Sequence, residues 1–248
     1  MHILSARVAG HFAARGEGEV CAVFKRSFYL RFADNAYACV GDESIGRGPL
    51  NAIVDEFAAP ALGEKVALSA DSVWQPGSLV MSAFPDFYSL REAARSRAPT
   101  DGFGCLVART HNAVSAHAQP ALDAIDDWIA GNALDARAEQ LVGLGPGLTP
   151  AGDDYLGGVM VALHLLDRST QAASLWRWLE PRLAQRSNPI SAAHLAAAAA
   201  GEAHEALHDC LSSLFQREAD WDTILDRLQG SGWNALAGAL AVLQKQRY

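Results

Sequence analysis

A run near the middle of the chain, Gly143-Leu144-Gly145-Pro146-Gly147-Leu148-Thr149-Pro150-Ala151-Gly152-Asp153-Asp154, combines the residue types needed to hold a small charged molecule. Glycines around a proline let the backbone turn tightly and leave its amides uncovered. Thr149 is expected to cap a helix with Pro150 at its first position, which places Asp153 and Asp154 in the first turn, at the positive end of the helix dipole. Such a nest of N–H groups suits an anion, and paired carboxylates beside it also suit a divalent cation bridging to one. Neighbouring helical side chains diverge by about 100°, so at most one aspartate points into a site there while the other braces the loop or a second helix start. Dipole complementation alone would also explain both carboxylates. The run is not a P-loop, since no G-K-S/T follows, and it lacks the glycine spacing and βαβ surroundings of a dinucleotide fingerprint.

The chain offers a partner for this run. Leu148–Leu163 aligns without gaps on Leu228–Leu243, matching Leu148 with Leu228, Gly152 with Gly232, Leu156 with Leu236, Gly158 with Gly238 and Asp154 with Asn234. Two helices that begin alike with small residues can bring their N-terminal ends together, and two such ends aimed at one spot make a strong anion site. Chance recurrence of small-residue helix packing would explain the same pattern equally well.

These helices need a frame. Residues 3 to about 82 carry short β-like runs at Val20–Phe24, Phe28–Phe32, Ala36–Val40, Leu50–Val54 and Lys65–Ser69, separated by turn material. Around Pro85 the texture changes to helical spacing, first at Ser89–Arg97, broken by A-P-T-D-G-F-G at Ala98–Gly104, then at Leu106–His117 and Pro120–Ala138. Beyond the glycine run, helices are expected at Thr149–Asp167, Ala172–Arg186, Ser191–Leu214, Trp221–Gln229 and Trp233–Lys245. The expected class is α+β. A β-rich domain over 1–84, an antiparallel sheet or small barrel, precedes an all-α domain over 85–248 that carries the glycine loop at 143–154.

Composition narrows the partners. The 248 residues are 50% hydrophobic with a net charge of −8, so no basic field recommends a nucleic acid or an acidic membrane surface. Cys21, Cys39, Cys105 and Cys210 form no C-x-x-C pair, which argues against a zinc ribbon, a redox dithiol or a disulfide scaffold. With neither a leader-like start nor a long apolar span, a cytoplasmic protein is expected.

Other candidates weigh less. His204-Glu205-Ala206-Leu207-His208 is a literal H-E-x-x-H, which on one helix would give zinc two imidazoles and a base. No histidine follows it and the only later glutamate is Glu218, so no metal is assigned. His164 lies ten residues past Asp154, roughly 15 Å along a helix, too far to serve as its base. Trp233 is the tryptophan nearest the second helix start, whereas Trp176, Trp178 and Trp221 read as core.

The run Gly143–Asp154 resembles the hallmark G-L-G-x-G-L-T-P-S-G-D-D of the AllH-like family, associated with oxamate carbamoyltransferase, with Ala151 at the serine position. A second block of that family, R-T-T-x-x-S-x-x-x-L-x-x-A-x-x-G, is similar to Arg186, Ser187, Asn188, Ser191, Leu195, Ala198 and Gly201, and a third, S-G-x-D-x-L-x-G, to Ser231, Gly232, Asn234, Leu236 and Gly238. Here serine and asparagine replace the two threonines, and an amide replaces the last carboxylate. The resemblance implies a transferase subunit of purine and allantoin breakdown, converting oxalurate and phosphate to carbamoyl phosphate and oxamate alongside other subunits. Asp153, Asp154 and Arg186 would then carry catalysis, with Gly145, Gly147, Leu148, Thr149, Gly152, Ser187, Asn188, Ser191, Ser231, Gly232 and Asn234 holding the anionic substrate. Ala151 and Asn234 depart from the pattern and allow another substrate. No cofactor is assigned; a non-catalytic binding or assembly protein using the Ala192–Ala200 helix is the second reading, and a nucleotide-binding enzyme holding magnesium through Asp153 or Asp154 the third.

Overall fold

The computed structural model describes residues 2–78, 84–216 and 218–246. Short β-branched and aromatic runs near the N-terminus build eight strands: β1 (His2–Ala6), β2 (Val8–Gly10), β3 (Gly16–Val23), β4 (Ser27–Phe32), β5 (Tyr37–Gly41), β6 (Asn51–Ile53), β7 (Lys65–Ala70) and β8 (Val73–Trp74). They form one sheet in the order β1-β7-β3-β4-β5-β6-β2-β8. Because β1 runs straight on into β2 and β7 into β8, the two ends of this order are joined by the same short stretches of chain, which requires the sheet to curl. The corner is tied by Asp71 N–H to Ala6 O at 2.9 Å and Ala9 N–H to Ser72 O at 3.0 Å. Three pairs, β1·β7, β2·β8 and β5·β6, are parallel and the other four are antiparallel. Phe28, Leu30, Val40, Val66 and Leu68 fill the core of this unit.

Among the described residues after the sheet the elements are helical: α1 (Phe87–Ala94), α2 (Ala113–Ile129), α3 (Ala151–Leu165), α4 (Ser169–Arg186), α5 (Pro189–Ala199), α6 (Glu205–Ser213), α7 (Trp221–Asp226) and α8 (Gly230–Leu243), with 3-10 turns at Gly104–Ala108 and Ala136–Leu141. The α+β class read from the sequence is therefore the observed one. The chain divides into two compact units, residues 1–77 with 202–205, and 78–201 with 206–248.

Several expected boundaries shift for identifiable reasons. Leu106–His117 is not one helix, because Arg109 adopts φ 56 after the first 3-10 turn and Asn112 then opens α2 with a capping box to Ser115. Pro120 lies inside α2 instead of starting a helix, on its exposed side. The expected helix Ser191–Leu214 is two, divided where Gly201 takes φ 86. Strands β1, β2 and β8 were not set out separately by the sequence, their runs being too short to show a period.

Candidate functional site

The glycine run forms the turn expected of it, and Gly143 shows why glycine is needed. Its φ is 72, and an added Cβ would overlap the backbone carbonyl of Arg186, the last residue of α4. The turn closes through Leu144 O, which accepts from Gly152 N–H at 2.9 Å. Helix α3 begins one residue later than expected. Pro150, not Thr149, is its cap, with an extended ψ of 141, and its carbonyl accepts from Asp154 N–H at 3.0 Å. Thr149 therefore gives no cap, and its hydroxyl bonds no described residue. The same holds for the amides of Gly145, Gly147, Leu148 and Thr149, and Gly145–Gly147 is exposed.

The two aspartates have separated in the way the 100° step demands. Asp153 is only 1% exposed. Its Oδ1 accepts from Gly143 N–H at 2.7 Å and its Oδ2 from Ser191 Oγ at 2.6 Å and from Ser187 Oγ. One carboxylate thus ties the turn to the end of α4 and the start of α5. Asn188 reinforces the tie, capping α5 through Oδ1 to the amides of Ile190 and Ser191 while its Nδ2 donates to Leu148 O at 3.0 Å. The side chain of Arg186 is turned to a different partner, its Nε lying 2.8 Å from Glu139 Oε1.

Asp154 faces the other way, toward α8. Asn234 Nδ2 donates to Asp154 Oδ2 at 3.3 Å, and Asn234 Oδ1 accepts from Phe103 N–H at 2.8 Å. These aligned positions of the internal repeat meet because the helices cross closely. A Cβ on Gly158 would overlap Ala235 O, and one on Gly238 would overlap Tyr155 O. Each glycine sits over the residue that aligns three places before its counterpart, so the crossing has a local two-fold character and brings both first turns together. Ser231 and Gly232 lie in the first turn of α8, with Ser231 exposed and Trp233 buried behind them.

Burial pushes Asp154 well above the usual carboxylate range; the Asn234 amide pulls the other way, and the charge of Asp153 adds to the rise. The folded state then holds this proton more tightly than the unfolded chain does. The favourable contribution is complete below the unfolded value and is lost as pH rises through the folded one. Asp154→Asn removes that loss, so the variant should melt above the parent at neutral pH, with the two melting temperatures converging toward about pH 4. A parent that melts higher at every pH would contradict this reading of Asp154.

The sequence missed the stretch Ala98–Gly104, read there only as a break between helices. It supplies the Phe103 amide to Asn234, and Asn112 Nδ2 holds it through Thr100 O at 3.0 Å and Gly102 O at 2.8 Å. Its signal was present in the T-D-G turn, but nothing local ties that turn to Asn234, 131 residues on. The H-E-x-x-H pattern does not assemble. His204 precedes α6 and its Nε2 lies 2.8 Å from Ile45 O, while Glu205 accepts from Arg47 N–H at 3.0 Å and His208 is buried. Among the described residues no group of three His, Cys, Asp or Glu side chains is placed to hold a metal. His164 Nε2 lies 2.8 Å from Ala199 O, away from the mouth. Among the described residues, too, no helix is long and apolar enough to cross a membrane.

These elements define a class: a helical unit in which a glycine turn leads into α3 and the related first turns of α3 and α8 meet at one polar pair. A family model described as oxamate carbamoyltransferase subunit AllH matches residues 141–243, which begins at the end of the second 3-10 turn and runs to the last residue of α8. The resemblance drawn from the three sequence blocks is thus borne out over the part of the chain that carries them. No curated protein and no solved structure matches the chain.

Proposed function

We propose that the protein is a subunit of an oxamate carbamoyltransferase-type enzyme, and that its glycine turn and the Asp154–Asn234 pair bind a small oxyanion such as phosphate, carbamoyl phosphate or oxamate. The observation that carries the anion reading is the meeting of two helix starts at Asp154 and Asn234, next to a turn whose Gly145, Gly147, Leu148 and Thr149 amides are uncommitted. Donors aimed at one spot from a helix N-terminus favour negative charge. A carboxyl that keeps its proton adds an O–H donor there, so Asp154 binds an oxyanion in its protonated form. Asp153 acts as the brace that fixes the turn, and Ser187, Asn188 and Ser191 hold that brace. The family description supports partner subunits, since it names a subunit.

Two results are expected. Millimolar oxamate or phosphate should raise the melting temperature of the parent and leave Asn234→Leu unshifted, because a ligand that binds only the folded state stabilises it by mass action. Oxamate affinity should rise as pH falls through the raised pKa of Asp154, and Asp154→Asn should flatten that dependence. If none of the three anions shifts the folded parent, the site reading fails.

A further inference from the structure

A cavity of about 180 Å³ opens in the helical unit between the first 3-10 turn, α2, α3 and α8, away from the glycine turn. Tyr155 lies in its lining and is 3% exposed, with its ring packed on Phe103 at 5.4 Å between centroids. Its hydroxyl bonds no described residue and is not sealed from solvent, so it is open to the cavity and free to accept a bond there. At the rim Lys245 Nζ lies 3.1 Å from Asp126 Oδ2, and Asp123 Oδ1 accepts from Gln119 Nε2 at 2.8 Å. His111 and Gln244 complete the polar lining, and Leu106, Leu122 and Leu240 supply apolar walls.

The lining carries two carboxylates against one ammonium, His111 apart. Burial raises the carboxyl of Asp126 in spite of Lys245, with Asp123 and Asp127 adding to the rise, and burial followed by the charge of Asp126 raises the phenol of Tyr155. Two carboxylates against one ammonium leave this lining net negative, which favours a second cation beside them.

We propose that this cavity is a second ligand site, taking a small organic cation whose ammonium N–H groups bond Tyr155 Oη and the Asp126 carboxylate while a short apolar body lies against Leu122 and Leu240. Phosphate or carboxylate ligands do not fit it, since the carboxylates at the rim repel them. The site stands independently of the anion reading.

The probe is n-propylammonium chloride, followed by saturation-transfer NMR on the full chain, with n-propanol as the uncharged analogue. The parent should bind the ammonium saturably and the alcohol about tenfold more weakly or worse. Tyr155→Phe keeps the ring and removes only the hydroxyl, and should weaken the ammonium about tenfold. Asp126→Asn keeps the shape and removes the charge, and should bring the ammonium down to the level of the alcohol. Equal binding of ammonium and alcohol, unchanged binding by both variants, or a crystal soaked in the ammonium that shows only water in the cavity would each overturn the proposal.

Discussion

Gly158→Ala should lower the melting temperature by about 6–12 °C, which corresponds to about 3 kcal/mol of overpacking in a helical unit of this size. The reason is local. The added methyl would overlap the backbone oxygen of Ala235, and a backbone atom in a packed helix cannot swing aside as a side-chain end does. Gly238→Ala should cost about the same by the reciprocal overlap with Tyr155 O. The double variant is the sharper test. Relief of either overlap requires the same separation of α3 from α8, so the second substitution should add much less than the first. Costs that simply add would mean the two contacts are independent and the crossing is not the shared seat of the site. Thermal denaturation of the three variants decides it.

Asp153→Ala should be comparably damaging, at about 4 kcal/mol, because it removes the shared acceptor of the partly buried Gly143 amide and Ser187 hydroxyl and of the buried Ser191 hydroxyl. Hydrogen bonds to a charged group are worth more than neutral ones, and here three converge on one carboxylate. Asp153→Asn keeps an acceptor for the Gly143 amide but loses the charge, and Ser187 and Ser191 must turn from donating to accepting, so it should recover only part of the loss. Cleavage by added protease should move to the 143–150 turn in both variants. A loss under about 1 kcal/mol with an unchanged cleavage pattern would remove Asp153 from its place as the brace.

Much of this arrangement is written in local sequence, and the part that is not has a physical reason. Adjacent aspartates in a first turn must diverge, and they do, Asp153 into the loop and Asp154 toward α8. The ungapped alignment of Leu148–Leu163 with Leu228–Leu243 carried the pairing of Asp154 with Asn234, because two helices that begin alike and carry small residues in step can cross in step. The curl of the sheet was harder to see. Strands of two or three residues show no period, and β1·β7 and β2·β8 are parallel pairs formed across more than 60 residues. Thr149 misled as a cap because a threonine before a proline looks like a helix start, whereas the bond from Gly152 N–H to Leu144 O moves the start to Pro150. The ion pair of Arg186 with Glu139 was not legible either, because Glu139 lies in a 3-10 turn that hydrophobic periodicity does not reveal. Tyr155 stood in plain view beside Asp154, yet a tyrosine in a helix reads as core until the space around its hydroxyl is known.

The central claim, that the glycine turn and the meeting helix starts hold a small oxyanion, is tested most directly by titrating oxamate and phosphate into glycine-selectively ¹⁵N-labelled protein and following the amide resonances. Gly145 and Gly147 should shift saturably, with Gly232 responding at the facing helix start, and Gly63, in the other unit, should stay still. Resonances of Gly145 and Gly147 that do not move at saturating concentrations of either anion, in a protein that remains folded, would contradict the account.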